Sequence, residues 1–156
     1  MYGTRLVKRG VLIAAVAALF VFGANSAYSA ETYIELSGRY WKASRADVVF
    51  RDADENKKEI IIKATGLKAH SVFSIWLLNP KNKESAGLGY GNFDFTSNGR
   101  GEGFYRTFLP VDELDKWEVM AVYLHPDGDA RNLRDRKEAL RGKLKKKVRR
   151  GMVRLW

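Results

Sequence analysis

The chain has 156 residues, a formal net charge of +10 and no cysteine. Without cysteine it can form no disulfide, offer no thiolate nucleophile and build no sulfur-ligated metal site. Its two histidines are too few for a histidine-rich metal centre.

Residues 1–30 have the order of a secretory signal. Arg5, Lys8 and Arg9 are followed by the uncharged apolar run Val11 to Ala24, then by small residues through Ala30. This order predicts cleavage to a mature chain beginning between Ala27 and Glu31, and a periplasmic or secreted location. The alternative is an uncleaved anchor, but the 14-residue apolar run is short against the span of about 20 that a membrane needs.

The remainder is expected to form one domain over 31–144, followed by a basic tail over 145–156. Tyr33 to Leu36, Asp47 to Phe50 and Glu59 to Ala64 read as strands, the third favoured by three consecutive isoleucines. Gly66 to Ala69 is a short connection, which predicts that the strands on either side of it are antiparallel neighbours. Ser71 to Leu78 is apolar on both alternating faces, with Val72, Trp76 and Leu78 on one and Phe73, Ile75 and Leu77 on the other. Such a strand is expected inside the structure.

Residues 79–91 read as a loop. Its Gly87, Gly89 and Gly91 suggest turns, since no helix follows them to make a phosphate cradle. Phe93 to Phe95 and Gly103 to Leu109 flank Asn98-Gly99, the signature of a β-hairpin. Val111 to Lys116 is an acidic crossover with room for one helical turn. Trp117 to Leu124 is a second strand apolar on both faces, and His125 to Asp129 is a tight turn. Leu140 to Leu144 reads as a closing strand guarded by charge, the competing reading being a helical stripe through Leu140, Leu144, Val148, Met152 and Trp156.

Short strands at regular spacing with turn clusters between them predict an all-β fold. The expected form is an antiparallel immunoglobulin-like β-sandwich of seven or eight strands. A transmembrane barrel fits less well, because its strands need about ten residues of strict alternation.

The stretch from Gly66-Leu67 into Ser71 to Trp76, then Asn98 to Gly101, then Trp117 to Asp129 resembles small exported bacterial domains of immunoglobulin-like topology. These include the CHRD and superoxide-dismutase-like sandwiches. The resemblance covers roughly residues 58–130 and implies a fold and a compartment. Copper–zinc dismutase activity is not carried over, because only His70 and His125 are present.

No nucleophile elbow and no recognisable triad accompany those histidines. The carboxylates fall in turns and on outward strand positions, so a glycosidase pair is not expected. The prediction is a non-enzymatic binding or structural module of the cell envelope. The alternative is a zinc- or copper-binding protein. If the two long apolar strands run antiparallel, His70, His125, Asp127 and Asp129 share one rim and could act as ligands; the competing reading is a turn in which the aspartates cap backbone amides.

Charge is concentrated at the C-terminal end. Residues 31–130 hold 13 Lys and Arg against 16 Asp and Glu, a net of −3, whereas 131–156 hold 12 against 2, a net of +10. Lys145, Lys146, Lys147, Arg149, Arg150, Arg154 and Trp156 combine a polycation with an aromatic anchor. That suits an anionic membrane surface or an envelope polyanion. Export argues against nucleic acid as the physiological partner.

Overall fold

Alternating burial organises the first half of the chain. The computed structural model describes residues 31–39, 41–89 and 91–144, with the backbone of 147 and 148. Strand β1 (Thr32–Gly38) buries Ile34 and Leu36, β2 (Arg45–Asp54) buries Ala46, Val48 and Phe50, and β3 (Lys57–Thr65) buries Ile60, Ile62 and Ala64. The residues between them face outward, as a sheet with one covered face requires. Of the three consecutive isoleucines, Ile61 is the one turned to the outer side.

The second half supplies β4 (Val72–Asn79), β5 (Glu84–Gly87), β6 (Asp94–Thr96), β7 (Gly103–Pro110), the one-turn helix α1 (Val111–Leu114), β8 (Val119–His125), β9 (Lys137–Lys143) and β10 (Lys147–Val148). Asp112 and Glu113 lie in the first turn of α1, where the helix dipole favours negative charge, and Leu114 anchors it to the core. β4 and β8 are buried on both faces and lie side by side in the interior of the sheet.

All ten strands belong to one sheet, in the order β5-β4-β8-β9-β1-β2-β3-β7, with β10 added to β1 and β6 to β4. Every pairing is antiparallel. The sheet curls so that β1, β2, β3 and β7 face β4, β8 and β9 across a single apolar cluster. Leu36, Phe50, Ile60, Phe73, Ile75, Met120 and Leu140 lie at its centre. The all-β expectation holds, with ten strands described in place of seven or eight.

Two expected pairings are corrected. The Asn98 turn forms, closed by Gly101 N donating to Asn98 O at 3.0 Å. Its arms do not pair with each other: β6 joins β4 and β7 joins β3. Likewise β3 and β4 are not neighbours, although only six residues separate them. The cause is a knot between the two loops. Leu67 N donates to Gly101 O at 3.0 Å, and both Gly66 (φ +69°) and Gly101 (φ +72°) are left-handed. A side chain on Gly101 would stand 2.2 Å from Leu67 O. Such backbone approach is open only to glycine, and it sends the chain from β3 across the open side of the curl to β4.

The loop at 79–91 also holds β5, a short edge strand on the end of β4. Its residues Glu84-Ser85-Ala86-Gly87 have no β-forming character, so only the ladder with β4 makes them a strand.

Candidate functional site

The outer face of β4 and β8 carries a buried polar chain. Trp76 Nε1 donates to Ser74 Oγ at 2.9 Å, Ser74 Oγ lies 2.7 Å from His125 Nε2, and His125 Nδ1 lies 3.0 Å from Asn132 O. A carbonyl only accepts, so Nδ1 carries the imidazole proton and Nε2 accepts from the serine hydroxyl. The tautomer is thus set by the chain of partners.

This is the arrangement of a nucleophile beside a base, but it is sealed. Ser74 is 0% exposed and His125 is 2% exposed. The serine hydroxyl donates to the imidazole and accepts from the indole, and its burial keeps a substrate from reaching it. The chain of hydrogen bonds ties the turn after β8, through Asn132, to the centre of the sheet.

The four candidate metal ligands reach one end of the sheet but do not converge. Val72 pairs with His125 in an antiparallel ladder, so His70, just before β4, does lie at the end where β8 finishes. His70 is exposed and left-handed (φ +50°), whereas both ring nitrogens of His125 are engaged. Asp127 accepts from Asn132 Nδ2 at 2.5 Å and from Asp129 N at 3.2 Å. Asp129 accepts from Arg131 N at 2.9 Å. Those hydrogen bonds, the Asn132 amide foremost, hold the Asp127 carboxyl below its ordinary range. Among the described residues no group of three or more His, Asp or Glu is placed to hold a metal ion. The aspartates are occupied as turn caps.

The basic cluster divides. Lys145, Lys146, Arg149, Arg150, Arg154 and Trp156 lie outside the described residues. The backbone of Lys147 and Val148 does form β10, pairing Tyr33 with Lys147 and Thr32 with Val148. The sheet therefore continues past Leu144. Because the pairing is antiparallel, Thr32 and Val148 lie side by side at one end of the sheet.

That end also holds a cavity of about 500 Å³, bordered by Phe50, Leu114, Trp117 and Leu144 with Lys81 and Glu118. Lys81 Nζ meets Glu118 Oε1 at 2.6 Å, a hydrogen-bonded pair that raises the lysine above its ordinary pKa. Trp117 Nε1 is buried there without a hydrogen-bond partner.

Ser74 is the functional-looking residue that the sequence did not single out. The available signal was a lone hydroxyl within an apolar strand, placed to meet a histidine at the end of another. No protein-family model, curated protein or solved structure matches the chain. Among the described residues no helix is long and apolar enough to cross a membrane.

Proposed function

We propose that the chain is an exported, non-enzymatic module of the cell envelope, held against an anionic membrane surface by its basic C-terminal residues. The two facing halves of its curled sheet serve as the layers of an immunoglobulin-like sandwich, in keeping with the resemblance to exported CHRD and dismutase-like domains. Its compartment is periplasmic or extracellular, as the order of residues 1–30 suggests.

The observation that carries this reading is the β1–β10 pairing. It sets Thr32, the first strand residue after the apolar segment, beside Val148, which precedes Arg149, Arg150, Arg154 and Trp156 in the sequence. The Ser74–His125 pair supports a non-enzymatic role, since both residues are buried away from any substrate.

Vesicle binding tests the proposal. Each basic residue near an anionic surface contributes about 1 kcal/mol. Deleting residues 149–156 removes Arg149, Arg150, Arg154 and Trp156 yet keeps β10. The mature chain is expected to bind anionic vesicles about a hundredfold more tightly than this truncation at low salt. Binding should weaken steeply toward about 0.5 M salt. Equal binding by the two proteins would refute the tail's role.

A further inference from the structure

A second feature lies along β9. One cavity of about 470 Å³ is bordered by Trp41, Arg136, Lys137 and Glu138. Another of about 520 Å³ is bordered by Arg39, Val119, Glu138, Arg141 and Lys143, among others. Glu138 belongs to both, so they adjoin along the strand. Together they present five cations and one carboxylate.

The cations are poorly compensated. Arg141 Nη1 pairs with Glu138 Oε2 at 2.7 Å. Among the described residues no carboxylate pairs with Arg39, Arg136, Lys137 or Lys143. Arg136 is held by aromatic rings instead. Its guanidinium lies 4.6 Å from the Trp76 ring centre and 4.4 Å from that of Tyr123. Its Nη1 is buried without a hydrogen-bond partner. Stacking fixes the group's orientation without neutralising its charge, which is how arginine is readied for an anion.

Spacing narrows the ligand. From Lys137 to Lys143 the strand rises roughly 20 Å, with cations toward both ends and Glu138 between them. A nucleic acid strand carries a phosphate on every nucleotide and would press one against that carboxylate. A polymer with widely separated negative groups would not. Trp41 adds an aromatic wall of the kind on which a sugar ring can rest.

We propose that this groove binds a linear acidic glycan whose carboxylates are separated by uncharged sugars. One carboxylate meets Arg136 and Lys137, the next meets Arg39 and Lys143, and an uncharged sugar passes Glu138.

The experiment titrates the full mature chain at low salt with a hexasaccharide bearing a carboxylate on alternate sugars. A neutral hexasaccharide and a single-stranded DNA hexamer serve as comparison probes. The expected result is saturable binding of the acidic glycan alone. Lys137→Gln and Lys143→Gln, both exposed and remote from the core, should each weaken it at least threefold, and Arg136→Gln at least tenfold. Arg149→Gln with Arg150→Gln in the tail should leave it unchanged, which separates this site from the membrane reading. If Arg136→Gln unfolds through loss of its stacking, the two lysine variants still decide the matter. No binding by the parent chain, full binding by both lysine variants, or DNA binding as tight as the glycan's would each overturn the proposal.

Discussion

Ser74 and His125 meet on the outer face of the sheet, Oγ to Nε2 at 2.7 Å, within a chain that begins at the Trp76 indole and ends at the Asn132 carbonyl. Both residues are buried. Removing the serine hydroxyl strands the Trp76 and His125 nitrogens that it bonds, which costs about 1–3 kcal/mol. Ser74→Ala is therefore expected to lower unfolding stability by that amount in urea titrations. It should also loosen the turn after β8, read as faster amide exchange around Asn132. Unchanged stability and exchange would show that the chain does not hold the turn.

Trp76 belongs to this outer layer and not to the main cluster. It is 9% exposed, meets Phe93 edge-on at 5.2 Å and lies under Arg136. Trp76→Ala should cost about 3 kcal/mol, the low end for such truncations, because the gap opens toward solvent and can fill with water. Calorimetric unfolding measures it. A loss below about 1 kcal/mol would mean that the layer adds no stability of its own.

The strands were legible where side chains alone decide them. β4 and β8 are apolar on both faces, and no other placement covers Phe73 and Trp76 together. The partners of each strand were less legible, because pairing is decided between distant segments. Asn98-Gly99 marked a turn correctly, but a turn fixes only the local chain direction. Whether β6 then meets β7 or β4 depends on the contact of Leu67 with Gly101, which no local pattern announces. Among the described residues the candidate ligands form no group placed for a metal, for a related reason. Topology brought His70 and His125 to one end as expected. The hydrogen bonds that occupy His125 come from Ser74, 51 positions earlier in the chain, and from a backbone carbonyl, which has no signature in sequence.

The knot between the loops can be tested directly. At Gly101 any L-residue must adopt a φ of +72° and place its Cβ 2.2 Å from Leu67 O. Left-handed strain costs about 1–3 kcal/mol, and the clash forces the backbone apart besides. Gly101→Ala is expected to destabilise by more than about 2 kcal/mol. It should also increase exchange at the Leu67 amide, whose acceptor is Gly101 O. A variant as stable as the parent would show that the β3–β4 crossover does not depend on this approach.

Tyr105 sets an alkaline limit. Its hydroxyl lies 2.6 Å from Leu88 O and 2.7 Å from Asn92 O, so its one proton is shared between two carbonyls and anchors the segment after β5 against β7. Burial, first among the causes, raises its pKa above the ordinary tyrosine value. The proton is thus held more tightly in the folded chain than in the unfolded one. The resulting stability is fully present below the unfolded value of about 10 and is lost as pH rises through the higher folded value. Tyr123 is raised as well, again chiefly by burial, so two groups share the effect. Urea midpoints should be flat near neutral pH and fall above pH ~10. Tyr105→Phe should cost about 1 kcal/mol at neutral pH and reduce the alkaline slope without abolishing it, the remainder belonging to Tyr123. If Tyr105→Phe leaves the slope unchanged, the phenol ionises without disturbing the fold, and the two carbonyls are held by other means.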